Sequence, residues 1–217
     1  MKKENKKLFY VSAGMLITFI LWTGTVQLVD VEAIGPKETT VGFARINQLV
    51  HDFTGVHNTL YMITDWLGLV PLGVVCGFAL LGLVQWIQRK HFLKVDYSIL
   101  VLGGFYIVVM AVFVLFEVMA VNYRPVLIDG VLEASYPSST TMLVLCVMPT
   151  AFMQMKERMK GTILKRYVAL GIIAFTIFMV VGRLISGVHW VTDIIGGVLL
   201  SAGLVILYRA IVNLKTK

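Results

Sequence analysis

The chain has 217 residues, of which 58% are hydrophobic and only 14% charged, with a mean hydropathy of +0.85; soluble domains carry about 25% charged residues, so a water-soluble globule is excluded. The formal charge of +7 falls in short Lys/Arg clusters between apolar runs and not along one polar face, which argues for topology signals over nucleic-acid binding. Cys76 and Cys146 lie inside apolar runs without metal-ligand spacing and read as packing residues.

Residues 1–7 precede an apolar run over 8–29 that is long for a signal peptide and lacks a small-residue cleavage site before Asp30, so a retained first helix is expected. Further apolar runs cover 60–86, 97–121, 141–155, 168–182 and 191–208, against the roughly 20 residues a helix needs to cross a bilayer. The fourth and fifth are short, and the fourth carries Pro149, which membrane helices tolerate when neighbours satisfy the freed backbone. This pattern predicts an all-α polytopic membrane protein, a six-transmembrane-helix bundle forming one membrane domain over 1–217. Between the first two runs, Phe43, Ile46, Leu49, Val50 and Phe53 recur at helical spacing within 41–53. An interfacial helix and a loop helix packed on the bundle both fit that segment.

Orientation follows from the Lys/Arg bias of short loops. Fifteen of the 19 Lys and Arg residues, from Lys2 and Lys3 through Arg89, Lys90 and Lys156 to Lys215 and Lys217, fall on one side; Lys37, Arg45, Arg124 and Arg183 fall on the other. The expectation is a multi-pass cell-membrane protein with both termini cytoplasmic and the segments 122–125, 136–140 and 183–193 at the outer face.

Those three segments carry the chemistry. His189 and Asp193 are four apart, on one face of a helix that starts near His189. A carboxylate there accepts the imidazole N–H and fixes its tautomer, leaving the other nitrogen free as a nucleophile. Arg124 and Arg183 offer planar, bidentate donors for a phosphate. Ser138 and Ser139, at the start of the fourth run, would add the anion site of a helix N-terminus. The bland readings stand beside these: snorkelling arginines, a structural His/Asp pair and a plain N-cap. Glu117 and Asp65 are ionisable groups within apolar spans, a default functional signal. His51 and His57 lack metal-site partners and read as surface residues.

Arg124-Pro125, Pro137-Ser138, and Arg183 with His189 and Asp193 together resemble the membrane branch of the type 2 phosphatidic acid phosphatase and haloperoxidase superfamily. Its three-part signature is Lys, six residues, Arg-Pro; then Pro-Ser-Gly-His; then Ser-Arg, five residues, His, three residues, Asp. The resemblance implies that His189 attacks phosphorus to form a phosphohistidine supported by Asp193, and that Arg124 and Arg183 hold the phosphate. The family's Lys is Glu117 here, its Gly and His are Ser139 and Thr140, and its third-part Ser is Gly182. Threonine lacks the acidity of the family's proton-donating His, a contribution of about 10²–10⁴ in rate. Glu117 either pairs with an arginine or stays protonated and donates a proton itself.

The implied activity is hydrolysis of a lipid phosphate monoester or pyrophosphate at the outer leaflet, with no metal and no cofactor. The alternative is a non-hydrolysing relative that binds or moves a phosphorylated lipid. The implied partners are that lipid and the bilayer, with no nucleic acid; no oligomeric state follows from the sequence.

Overall fold

A computed structural model describes residues 3–215, so Lys2 and Lys217 of the cytoplasmic count lie outside the described residues. The described chain is all-helical apart from short extended bridges: α1 (Lys3–Leu28), α2 (Ala44–Thr54), α3 (Asn58–Leu67), α4 (Leu69–Arg89), α5 (Tyr97–Met119), α6 (Ser139–Arg158), α7 (Thr162–Ile185) and α8 (Val191–Val212). Five units are long and apolar enough to cross a membrane: α1, α3 with α4, α5, α7 and α8. The sixth long helix, α6, is richer in Thr, Met and Gln and is the interior element. It packs against α4, α5, α7 and α8 and buries Thr141, Val144, Cys146, Val147, Thr150 and Gln154. Polar side chains in that position find partners inside the bundle, as Thr150 does on the Cys146 carbonyl and Gln154 on Tyr208.

Three departures from the hydropathy reading have physical causes. The run 60–86 is two helices, because Pro71 has no N–H to offer the Leu67 carbonyl; the chain kinks at Gly68, whose N–H is shared by the Thr64 and Asp65 carbonyls. The fourth and fifth helices are not short: α6 has 20 residues and α7 has 24. Apolarity ends where the chain leaves hydrocarbon, but helical bonding continues, with Arg158 donating to the Gln154 carbonyl and side chain at the end of α6.

The most extensive helix–helix contact is that of α1 with α8. A Cβ at Gly203 would lie 2.7 Å from Leu16 Cδ2, and Ser12 Oγ donates to the Gly203 carbonyl at 2.8 Å. Small residues let membrane helices approach until dispersion and polar contacts act together. Nearer the other end of α1, Phe19 stacks on Tyr136 and meets Phe116 edge-on, which fixes the segment before α6 against α1 and α5.

Helix α2 lies across the start of α8. Asn47 is fully buried, donating to the Gly42 carbonyl and Thr192 Oγ1 and accepting from the Thr192 N–H. Its Ile46, Leu49 and Phe53 are exposed, the apolar face that an interfacial helix would present to lipid.

Candidate active site

The loop after α5, the start of α6 and the α7–α8 connection meet at one end of the bundle. The first of these is a β-hairpin. Asp129 and Gly130 have φ of +49° and +77°, and Ile128 and Val131 exchange backbone hydrogen bonds across them. An Asp-Gly pair with positive φ makes the tight turn whose twist suits two antiparallel arms. Arg124 N–H then donates to the Glu133 carbonyl at 3.0 Å, so the hairpin sets the two side chains next to each other.

The α7–α8 connection is equally fixed. Gly187 has φ of +70°, and a Cβ there would run into the Gly55 carbonyl oxygen; the His57 N–H donates to the Ser186 carbonyl at 3.0 Å. Glycine is required at that point on both counts. Gly182, where the resembled pattern has Ser, is equally constrained: a Cβ would sit 2.8 Å from Thr64 Cγ2, because α3 crosses α7 there.

His189 and Asp193 are both buried. Asp193 Oδ2 accepts the Trp190 N–H at 3.0 Å, the N3 carboxylate reaching back to the N-cap, and Oδ1 accepts from Asn122 Nδ2 at 3.3 Å. His189 Nδ1 lies 3.7 Å from Asp193 Oδ2, an electrostatic contact too long for a hydrogen bond, and both ring nitrogens are buried without a partner. Burial pushes the His189 pKa down to about 4; Asp193 opposes this, while the charges of Arg124 and Arg183 act in the same direction as burial. The ring is therefore a neutral imidazole near pH 7, the form a nucleophile needs.

Arg183 projects from the last turn of α7. Its Nη2 donates to Asp65 Oδ1 and to Thr140 Oγ1, each at 2.7 Å, and its guanidinium lies 5.1 Å from the centre of the Tyr61 ring. Its Nε and Nη1 are buried with no partner. Arg124 Nε is 2.9 Å from Glu133 Oε2, an ion pair without hydrogen-bond alignment, and its Nη1 is also unpartnered. Buried donors are rarely left empty, since each costs about 1–3 kcal/mol or more if charged. A set of them around one imidazole fits a multidentate anion.

The sequence-predicted residues divide. Arg124, Arg183, His189, Asp193 and Thr140 gather here. Ser138 is buried as the N-cap of α6, its Oγ 3.4 Å from the Thr141 N–H, and its own N–H donates to the Asp193 carbonyl at 3.1 Å, so it ties α6 to α8. Ser139 and Glu117 line a separate small recess with Phe113, Phe116 and Tyr136. Glu117 is exposed and, among the described residues, forms no ion pair, so the first of its two alternatives, pairing with an arginine, is not seen. Helix α5 ends at Met119 with Ala120 at φ of +44°, and the chain then runs extended. Glu117 and Arg124 therefore do not lie on one continuous helix.

The carboxylates on the arginines are Asp65, noted in the sequence only as an ionisable residue in a span, and Glu133, which the motif search passed over. The Asp129-Gly130 turn signal alone pairs Glu133 with Val126; a two-residue shift of register, to the Tyr123–Ala134 bridge, is what brings it to Arg124. Asn122 was also missed, and no sequence signal pairs it with Asp193. His51 is not a plain surface residue: its ring lies 5.5 Å from that of Trp190 and its Nε2 is buried, although His57 is exposed.

Known proteins resemble this chain in sequence family and in fold. Residues 117–217 match the model of the PAP2 superfamily. Among solved structures, the chain is similar to one described as the first transmembrane PAP2 type phosphatidylglycerolphosphate phosphatase from Bacillus subtilis. That match has 19% identity and a TM-score of 0.58, covering 96% of this chain and 98% of that chain. No curated protein matches the chain by sequence. A family match that begins at Glu117 and spans all three site segments, on a shared fold, places residues 117–217 in the PAP2 superfamily.

Proposed function

We propose that the protein is a membrane phosphatase that removes phosphate from a lipid phosphate monoester or pyrophosphate at the outer leaflet, through a phosphohistidine on His189. The observation that carries this reading is the set of unpartnered donors, Arg124 Nη1 and Arg183 Nε and Nη1, gathered with a buried neutral imidazole. The phosphate occupies those donors and Nε2 attacks phosphorus as the P–O bond to the lipid breaks; the lipid leaves as an alcohol protonated by water, or as a monophosphate from a pyrophosphate, and the ring becomes cationic. Asp193 stabilises that cation through Nδ1, and water releases the phosphate in a second step. The solved relative's description as a phosphatidylglycerolphosphate phosphatase supports a lipid phosphate as substrate, and the Lys/Arg distribution supports an outward-facing site.

Phosphate release from phosphatidic acid, phosphatidylglycerol phosphate and a polyprenyl pyrophosphate, with His189→Ala as control, tests the proposal. Turnover with a radiolabelled donor should leave an acid-labile, base-stable label that the variant lacks. One observation favours a second reading, a binder or carrier of phosphorylated lipid: Thr140 accepts from Arg183 where the resembled pattern has its proton-donating histidine. Tight binding of these lipids with no phosphate release from any of them would select that reading.

A further inference from the structure

Asp65 and Glu133 are not explained by phosphate binding, since each puts a negative charge beside the place a phosphate would occupy. The arginine side chains are buried, at 2% exposure for Arg183 and 11% for Arg124. Their carboxylate partners are open, at 58% for Asp65 and 38% for Glu133. The site therefore has a cationic floor and an anionic rim. Each pairing uses one edge of its guanidinium: Asp65 takes Arg183 Nη2 and Glu133 takes Arg124 Nε, while Arg183 Nε and Nη1 and Arg124 Nη1 remain free and buried. A phosphate can bind those free edges with both carboxylates still in place. Their charges cancel those of the two arginines, so a simple phosphate dianion meets no net attraction and two nearby repulsions.

We propose that Asp65 and Glu133 select phosphorylated lipids that carry an ammonium group a few bonds from the phosphate. This rests on the phosphate-site reading above and names its substrate class. The phosphate sits on the free arginine donors, and the ammonium reaches outward to the exposed oxygens of the rim, where charge-assisted hydrogen bonds replace repulsion with attraction. Tyr61 lies under Arg183, close enough to Asp65, Glu133 and Arg124 to feel their charges, and adds an aromatic wall on the same side. A lipid lacking the amine leaves the rim unpaired, which is how a site built around a charged partner rejects an analogue.

The test uses the full chain in nanodiscs with EDTA, presenting sphinganine 1-phosphate, which has a free amine, and its N-acetyl derivative, which does not. Phosphate release and equilibrium binding are both measured. The amine lipid should be preferred by about tenfold in kcat/KM and in Kd, as expected for two part-exposed charge contacts of roughly threefold each. Asp65→Asn and Glu133→Gln should each cut that preference by roughly threefold or more, in part by improving binding of the N-acetyl lipid. Asp65→Glu, which keeps the charge, should retain the preference.

Equal use of both lipids by the wild-type protein, or variants that change both to the same degree, would overturn the proposal and leave the carboxylates as positioning residues for the arginines. Good use of the N-acetyl lipid only after adding Mg²⁺ or Ca²⁺ would also overturn it, because the rim would then be holding a metal-borne charge. Discrimination in binding with no hydrolysis of either lipid would refute the phosphatase reading and uphold this one. Hydrolysis of both at equal rates would do the reverse.

Discussion

His189 should make the folded protein acid-sensitive over a defined pH range. Its native pKa of about 4 lies below the ordinary value of 6.5 because burial disfavours the imidazolium. Between those two values the unfolded chain binds a proton that the folded chain does not, so stability rises with pH across this window. The contribution is fully present above about 6.5 and is lost progressively as pH falls towards 4. The gap corresponds to about 3 kcal/mol, or roughly 6–12 °C in Tm for a chain of this size. The assay is thermal unfolding in detergent at pH 7, 6, 5 and 4 for wild type and His189→Gln, which cannot titrate at that position. Other groups titrate in both proteins, so the difference between the curves isolates His189. The wild type should lose about 3 kcal/mol more than the variant over that range, and the acid limb of its kcat/KM profile should lie near 4. Parallel curves, or a His189 ring proton titrating near 6.5 by NMR, would refute the argument that the ring is held neutral by burial.

Arg124→Lys and Arg183→Lys should each weaken lipid-phosphate binding by about tenfold or more despite the retained charge, because a lysine cannot hold its carboxylate on one edge and a phosphate on another; unchanged Kd in both would make the arginines packing residues. Glu117→Gln should leave Kd, rate and pH profile at wild-type values, since Glu117 faces the recess with Ser139; a lost limb of the profile would put it back in the site. Gly187→Ala should destabilise the α7–α8 connection by about 1–3 kcal/mol through its positive φ and the Gly55 carbonyl, seen as a lower Tm with reduced kcat. A cysteine at Ile128 in a background free of Cys76 and Cys146 should be labelled only from outside, and one at Lys160 only from the cytoplasm; the opposite pattern would invert the topology.

What the sequence made legible was the local part of the site. Arg183, His189 and Asp193 lie within one helix–loop–helix, so their spacing carries their geometry, and Arg124 announces itself as a cation that runs against the Lys/Arg bias of the loops. The long apolar runs likewise reported the helices, although α6 owes its place to side chains that find polar partners inside the bundle. The rest depends on contacts between distant segments. Arg183 and Asp65 are 118 residues apart, and Asn122 is 71 residues from Asp193. No periodicity encodes such pairs. The place of Glu117 is hidden for a different reason: residue spacing to Arg124 carries no helical geometry, because the left-handed turn at Ala120 ends α5.

The site is assembled by bonds that need no ligand. Ser138 N–H holds the Asp193 carbonyl, Trp190 Nε1 holds the Tyr123 carbonyl at 2.8 Å, and Asn122 holds the Asp193 carboxylate. These contacts link the hairpin, the start of α6 and the start of α8, so the framework around His189 is in place before substrate arrives, which is the condition for electrostatic stabilisation without reorganisation. The one loose contact within it is between His189 and Asp193, at 3.7 Å. The carboxylate is already satisfied by Trp190 and Asn122, and a neutral ring attracts it less strongly than an imidazolium does. In the proposed reaction the ring is a cation once Nε2 is bonded to phosphorus, and the same carboxylate would become its counter-ion. An attraction that appears with the charge, and is weak before it, lowers the barrier instead of deepening the ground state.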